Sequence, residues 1–176
     1  MKIFIVNLKQ SVERRQKIEA QLVALGLSAE FVEAVDGRAM SEKERQSVTA
    51  QVNYAFLPGE IGCALSHQKI YQKIIDEKIN NALILEDDVV LTEDFKNILQ
   101  SITVPSERPS IILLSRTNKY FKKPLKTIFG NYSLHKTLLA TTAHSYIINY
   151  EAARSLLKGL YPVWIVSDKW GLFEDM

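Results

Sequence analysis

The chain has 176 residues, 47% of them apolar and 24% charged, a profile and length that suit one soluble globular domain of roughly 100–200 residues. Lys plus Arg number 22 against 20 Asp plus Glu, and a net charge of +2 argues against a dedicated nucleic-acid binder, which carries a concentrated basic excess. The single cysteine, Cys63, excludes an internal disulfide framework and a cysteine-cluster zinc site, and no apolar run approaches the roughly 18 residues of a membrane span.

Ile3 to Leu8 is a short apolar run of the kind a buried strand makes, too short for a signal peptide. Ser11 offers an N-cap, Ile18, Leu22 and Leu25 recur at helical spacing, and Gly26 supplies the stop. Leu27 to Val35 alternates loosely as a second strand and ends at the Asp36-Gly37 turn signal. Ser41 to Val48 reads as a short polar helix or loop. After Pro58-Gly59 and Gly62, the residues Leu65, Ile70, Ile74 and Ile75 mark the inner face of a helix that runs to about Lys78. Ala82 to Leu85 is an apolar strand ending in Glu86-Asp87-Asp88, and Thr92 is placed to cap a helix with Phe95, Ile98, Leu99 and Ile102 inward. Ile111 to Leu114 reads as a strand, residues 115–137 as a polar, basic, irregular stretch, Ser145 to Ile148 as a strand, and Glu151 to Leu157 as a helix before Pro162. Strands alternating with helices predict an α/β sandwich with a largely parallel sheet.

Glu86, Asp87 and Asp88 are the strongest chemical signal. Three consecutive carboxylates at the carboxyl end of a buried strand repel one another and are costly to desolvate. A divalent cation relieves that cost, open α/β sheets bind ligands at those strand ends, and Mg²⁺ or Mn²⁺ suits oxygen ligands shared with substrate phosphates. The bland alternative is a solvated acidic turn, which the flanking Ala82-Leu83-Ile84-Leu85 and Val89-Val90-Leu91 disfavour.

Other segments say less alone. In Pro58 to His67, Gly59 and Gly62 permit close backbone approach, and Ser66 and His67 are expected in the first helical turns, within reach of a sugar hydroxyl or phosphate. Asn7 ends the first strand, and Arg14-Arg15 open the first helix, where a guanidinium matches diphosphate oxygens. Lys119 to Lys126 places four lysines and two aromatics in eight residues and reads by default as a mobile surface loop, with an anionic acceptor or a membrane surface as the alternative. His135 and His144 are isolated, without ligand spacing. Asp168 lies between Trp164 and Trp170, a setting that raises a carboxyl pKa and suits base chemistry.

The order of Asn7 to Arg15 (NLKQSVERR), Ala34 to Gly37 (AVDG), Pro58 to His67 (PGEIGCALSH) and Ala82 to Val89 (ALILEDDV) resembles glycosyltransferase family 25, the lipooligosaccharide sugar transferases and their collagen galactosyltransferase relatives. The resemblance is dense from Lys2 to Val90 and looser through Thr142 to Leu157 and the region around Asp168. It implies a GT-A type, Rossmann-like three-layer α/β fold and inverting transfer of a sugar, galactose foremost, from a UDP-sugar donor with Mn²⁺ or Mg²⁺. It implies a metal role for Glu86 and Asp88 and a diphosphate role for Asp87. It also places Asn7, Arg14, Ala34, Asp36, Gly37, Glu60, Gly62, Ser66 and His67 around the donor and aligns Asp168 with a late acidic residue. A lipooligosaccharide or other glycan acceptor, no nucleic acid, and a cytoplasmic location with peripheral association at the inner membrane complete the expectation. Family members run on past residue 176, so the chain is expected to be one domain, 1–176, without the usual C-terminal tail.

Three rival readings remain in view. A response-regulator receiver carries its acidic pair near the N-terminus and a later phosphorylatable Asp, whereas here Ile111 to Arg116 ends in Ser and Arg. A metal-dependent phosphohydrolase leaves the other three segments unexplained. A nucleotide-sugar-binding pseudoenzyme, or a shortened inactive member, is separated from a transferase by donor hydrolysis or transfer.

Overall fold

The computed structural model describes residues 1–173. In chain order the elements are β1 (Lys2–Asn7), α1 (Val12–Ala24), β2 (Glu30–Glu33), α2 (Glu42–Val48), α3 (Pro58–Asp76), β3 (Asn81–Glu86), α4 (Phe95–Ser101), β4 (Ile111–Leu113), β5 (Lys119–Thr127), β6 (Ser133–Leu139), β7 (Ser145–Asn149), α5 (Tyr150–Gly159) and α6 (Trp170–Phe173).

The main sheet has the order β2-β1-β3-β7-β4. β1 runs parallel to both β2 and β3, while β7 lies antiparallel to β3 on one side and β4 on the other. The expected parallel sheet therefore describes the β2-β1-β3 half, and the sheet as a whole is mixed. β7 follows a hairpin rather than a crossover helix, so it returns in the opposite sense.

Period-two alternation builds a helix layer on each face. Phe4, Ile84 and Tyr146 lie in register across the three central strands and face Ile70, Tyr71 and Ile74 of α3, Ala153 and Leu156 of α5 and Trp170 of α6. Ile3, Leu83 and Ile147, one residue away, face Ile18 and Leu22 of α1 and Phe95 and Ile98 of α4. Central strands buried on both faces read as continuous apolar runs, and each large side chain so buried contributes about 1.5–3 kcal/mol.

Local chemistry sets the boundaries. α1 ends where Gly26 takes φ +60°, with Gly26 N donating to Val23 O and Leu27 N to Leu22 O, the paired bonds of a Schellman stop. Asn149 caps α5 by accepting from Ala152 N at 2.9 Å, and its Nδ2 donates to Pro105 O and Arg108 O, tying the loop before β4 to the helix start. Three expectations are corrected. α3 begins at Pro58, not after Gly62, because proline suits the first helical turn and Glu60 caps it by accepting from Leu57 N at 2.8 Å. The N-cap position of α4 is Asp94, and Thr92 contributes only its carbonyl to Phe95 N. Residues 115–137 are not irregular: they contain β5 and the start of β6, an antiparallel pair interrupted by register shifts around Pro124.

Candidate functional site

Val6 and Glu86 are register partners, so β1 and β3 end side by side. The alternation that sends Phe4 and Ile84 toward α3 sends Glu86 there too, and sends Asp87 the other way, toward α1. Asp87 is buried and takes a hydrogen bond from Asn7 Nδ2 at 2.8 Å and from Arg14 Nη1 at 3.1 Å. Arg14 also lies 3.5 Å from Asp88, and Asn7 Nδ2 donates to Ser11 O at 3.2 Å. Asn7, Arg14 and Asp87 thus form one brace across β1, α1 and β3. Asp87 is spent on this brace, while Glu86 and the exposed Asp88 are left for other partners.

Glu86 uses its two oxygens in two directions. Oε1 lies 3.4 Å from His67 Nε2 and accepts weakly from Cys63 Sγ at 3.8 Å, and Oε2 lies 3.8 Å from His144 Nε2. His67, fully enclosed, bonds through Nδ1 to the Tyr146 hydroxyl at 2.6 Å, and that hydroxyl meets Tyr71 Oη at 2.9 Å. Burial by itself would lower the imidazole pKa, but Cys63 and Glu86 outweigh it and hold His67 up at about 9. Burial raises the Glu86 carboxyl, and His67 beside it more than offsets this, so Glu86 sits below its ordinary range.

Two ligand sets share Glu86. Its carboxylate, that of Asp88 and the His144 imidazole place one ligand atom each within 4.8 Å of one another, a hard, mostly oxygen set that fits Mn²⁺ or Mg²⁺. Cys63, His67 and Glu86 form a softer set, more buried, of the kind that suits zinc. His144, isolated in the sequence, reaches the acidic turn because Glu86 N donates to His144 O at 2.8 Å where β3 meets the entry to β7. Only that antiparallel pairing makes the neighbour visible.

The other expected residues divide. Gly37 and Gly62 let the Val35–Gly37 backbone press on the start of α3: a Cβ at Gly37 would stand 1.8 Å from Pro58 O, and one at Gly62 2.5 Å from Val35 O. Ser66 bonds back to Gly62 O at 2.6 Å and accepts from Val35 N at 2.8 Å. Ser66 and His67 lie in the third turn of α3, not its first, and their polar atoms are committed inside the protein. Ala34 N donates to Asn7 O at 2.9 Å, continuing the β1–β2 ladder. Asp36 accepts from Gln10 Nε2 and from Arg38 N. Glu60 holds Leu57 N and the Tyr54 hydroxyl, a helix-start role. These residues shape the wall beside the strand ends more than they offer free polar atoms.

Asp168 comes from the far end of the chain to the same side. Its neighbour Ser167 places Oγ 3.0 Å from Cys63 Sγ. Asp168 Oδ1 is buried without a hydrogen-bond partner among the described residues. Burial raises its pKa, and the negative charges of Glu60 and Glu86 add to the effect. On the other side of the acidic turn a cleft of about 650 Å³ opens between the β3–α4 loop and the β5–β6 ribbon, bordered by Asp88, Thr92, Arg116, Tyr132 and His144.

The fold and site define a three-layer α/β protein with an acidic, cation-suited pocket at the carboxyl ends of its central strands, where such sheets receive ligands. Residues 1–170 match the family described as glycosyltransferase family 25 (LPS biosynthesis protein), and the chain belongs to that family. It is 27% identical over 168 residues to procollagen galactosyltransferase 2 of Homo sapiens, covering 88% of this chain and 27% of that protein. A glycosyltransferase 25 family member of Aedes aegypti is 28% identical over 172 residues, 89% of this chain and 28% of that protein. One from Drosophila melanogaster is 36% identical over 101 residues, half of this chain. The chain spans little more than a quarter of the length of the human and Aedes aegypti relatives.

Proposed function

We propose that the chain is a GT-A type, inverting glycosyltransferase that moves a sugar, galactose foremost, from a UDP-sugar to a lipooligosaccharide-type glycan, with Mn²⁺ or Mg²⁺ at the acidic turn. The observation that carries this reading is the convergence of Glu86, Asp88 and His144 at the end of β3, in a chain that belongs to glycosyltransferase family 25. When bound there, the divalent ion supplies electrostatic neutralisation of the departing diphosphate. Arg14, 57% exposed at its side chain and adjoining Asp88, adds a fixed positive charge on the same side. Asn7 and Asp87 hold Arg14 and the turn in place. His67, anchored through Tyr146 and Tyr71, fixes one Glu86 oxygen and so orients the other toward Asp88 and His144.

Inversion by a single displacement asks for one base to take the acceptor hydroxyl's proton as the sugar transfers. Asp168 is the residue assigned that role: an uncommitted carboxylate oxygen with a raised pKa is a better base than an ordinary solvated aspartate. The test is calorimetry of UDP-galactose with and without Mn²⁺, on the wild type and on Asp88→Ala. Metal-dependent binding that vanishes in the variant supports the reading. Binding that ignores both the metal and the substitution places the donor elsewhere.

A further inference from the structure

The net charge of +2 conceals a strong segregation. Between Glu107 and Glu151 no acidic residue occurs, while Arg108, Arg116, Lys119, Lys122, Lys123, Lys126 and Lys136 all fall there. Of 22 basic residues seven lie in this stretch, which leaves fifteen basic against 20 acidic in the remainder, so the rest of the chain is net negative. None of the seven forms an ion pair among the described residues. Five of them sit on the ribbon formed by β5 and β6, a two-stranded sheet separate from the main one.

The same ribbon is unusually apolar for a surface. Every residue of β5 is exposed, Leu125 by 71%, with Tyr120, Phe121, Leu138 and Leu139 each about half exposed. A free two-stranded ribbon is marginal in water, and these side chains gain nothing by facing it. Lysines interleaved with aromatic and leucine side chains match one surface chemistry best: an anionic bilayer, whose headgroups attract the cations while its interfacial zone accepts the rings. A polyanion without an apolar layer, such as a nucleic acid, answers the lysines and leaves Leu125, Leu138 and Leu139 in water.

We infer that the β5–β6 ribbon is a membrane-docking element that seats this protein on an anionic phospholipid surface. Its base is also a wall of the cleft at the acidic turn, since Ile128, Tyr132, Ser133 and Leu134 border the cleft that Asp88 and His144 face. A docked ribbon therefore brings that cleft to the lipid surface. The docking stands on the ribbon alone; its use in presenting a lipid-carried acceptor rests on the transfer reading above.

The experiment is co-sedimentation with phosphatidylcholine vesicles, with and without phosphatidylglycerol, at low and physiological salt. The wild type is expected to bind only the phosphatidylglycerol vesicles, more weakly as salt rises. Removing Lys122 and Lys123 together (K122Q/K123Q) is expected to weaken binding about 25-fold, at about fivefold per lysine. Phe121→Ser with Leu125→Ser weakens it as well, with unchanged thermal stability, because both side chains are exposed. Asp88→Asn binds vesicles like the wild type, so failure of the donor site and failure of docking are told apart. No vesicle binding, equal binding to neutral vesicles, or indifference to the lysine pair overturns the inference. So does duplex DNA binding as tight as vesicle binding and insensitive to the Phe121 and Leu125 substitutions, which would mark a general polyanion surface.

Discussion

Glu86 joins two environments. One oxygen is held by the buried His67, itself bonded to the Tyr146 hydroxyl that Tyr71 in turn holds, and the other looks toward His144 and the exposed Asp88. His67 thereby leaves a pH signature. Its folded pKa of about 9 exceeds the ordinary 6.5, so the stabilisation of its protonated form is complete below pH 6.5 and is lost as pH climbs to 9. Unfolding free energies from urea titrations at pH 6 to 9.5 should fall across that window, with a slope approaching about 1.4 kcal/mol per pH unit for one proton. His67→Asn should flatten the slope whatever its own stability; a slope unchanged in that variant sinks the assignment. Asp168 leaves its signature in the rate instead. Burial raises the carboxyl pKa, so transfer should rise with pH along a limb displaced above the usual aspartate range. Asp168→Asn should lower kcat about 10²–10⁴-fold while leaving UDP-galactose affinity near wild type; a matching loss of donor affinity would make it a binding residue instead. Glu86 and Asp88 stand out in the sequence because consecutive acids after an apolar run are costly without a partner. His144 does not, because a solitary histidine carries no spacing and meets them only through strand pairing.

Among the elements, the contact between the Val35–Gly37 turn and the first turns of α3 is a backbone-on-backbone fit. The two motifs that look separate in the sequence are the two halves of this contact. Gly62→Ala would bring a methyl to 2.5 Å from Val35 O, with backbone on both sides and no flexible side chain to yield. Overpacking of this kind costs about 1–3 kcal/mol, and here it should also shift the β1–α1 edge of the site. Chemical denaturation should register the loss in Gly62→Ala, whereas Gly59→Ala, with nothing near its Cβ, should be neutral or stabilising. The strands and long helices were legible because core packing imposes periods of 2 and 3.6 on the apolar residues. The β5–β6 ribbon was not: residues exposed on both faces carry no alternation, and register shifts around Pro124 break what pattern remains. Nor was the start of α3, where Gly59 and Gly62 read as loop although Pro58 and Glu60 start the helix.

Across the whole molecule, the chemistry collects where the sheet is strongest. β1, β3 and β7 are the enclosed central strands, with helices on both faces, and the acidic turn extends directly from β3 beside the end of β1. The sense of β7 was hidden from the sequence, since a strand after a hairpin reads the same in either direction, yet that sense brings His144 to Glu86. A ligand held by this turn is tied to the enclosed centre of the sheet, not to a fraying edge. Donor binding should therefore stabilise the entire chain. With Mn²⁺ present and UDP-galactose at 100 times its Kd, linkage predicts about 2.7 kcal/mol of added stability. Thermal unfolding should show one cooperative transition moved upward as a unit. The shift should vanish in Asp88→Ala and persist in Asp168→Asn, because only the former removes a carboxylate from the proposed donor site. A rise confined to part of the transition would mean that the ligand sits on a separately melting segment such as the β5–β6 ribbon, and the strand-end donor site would have to be given up.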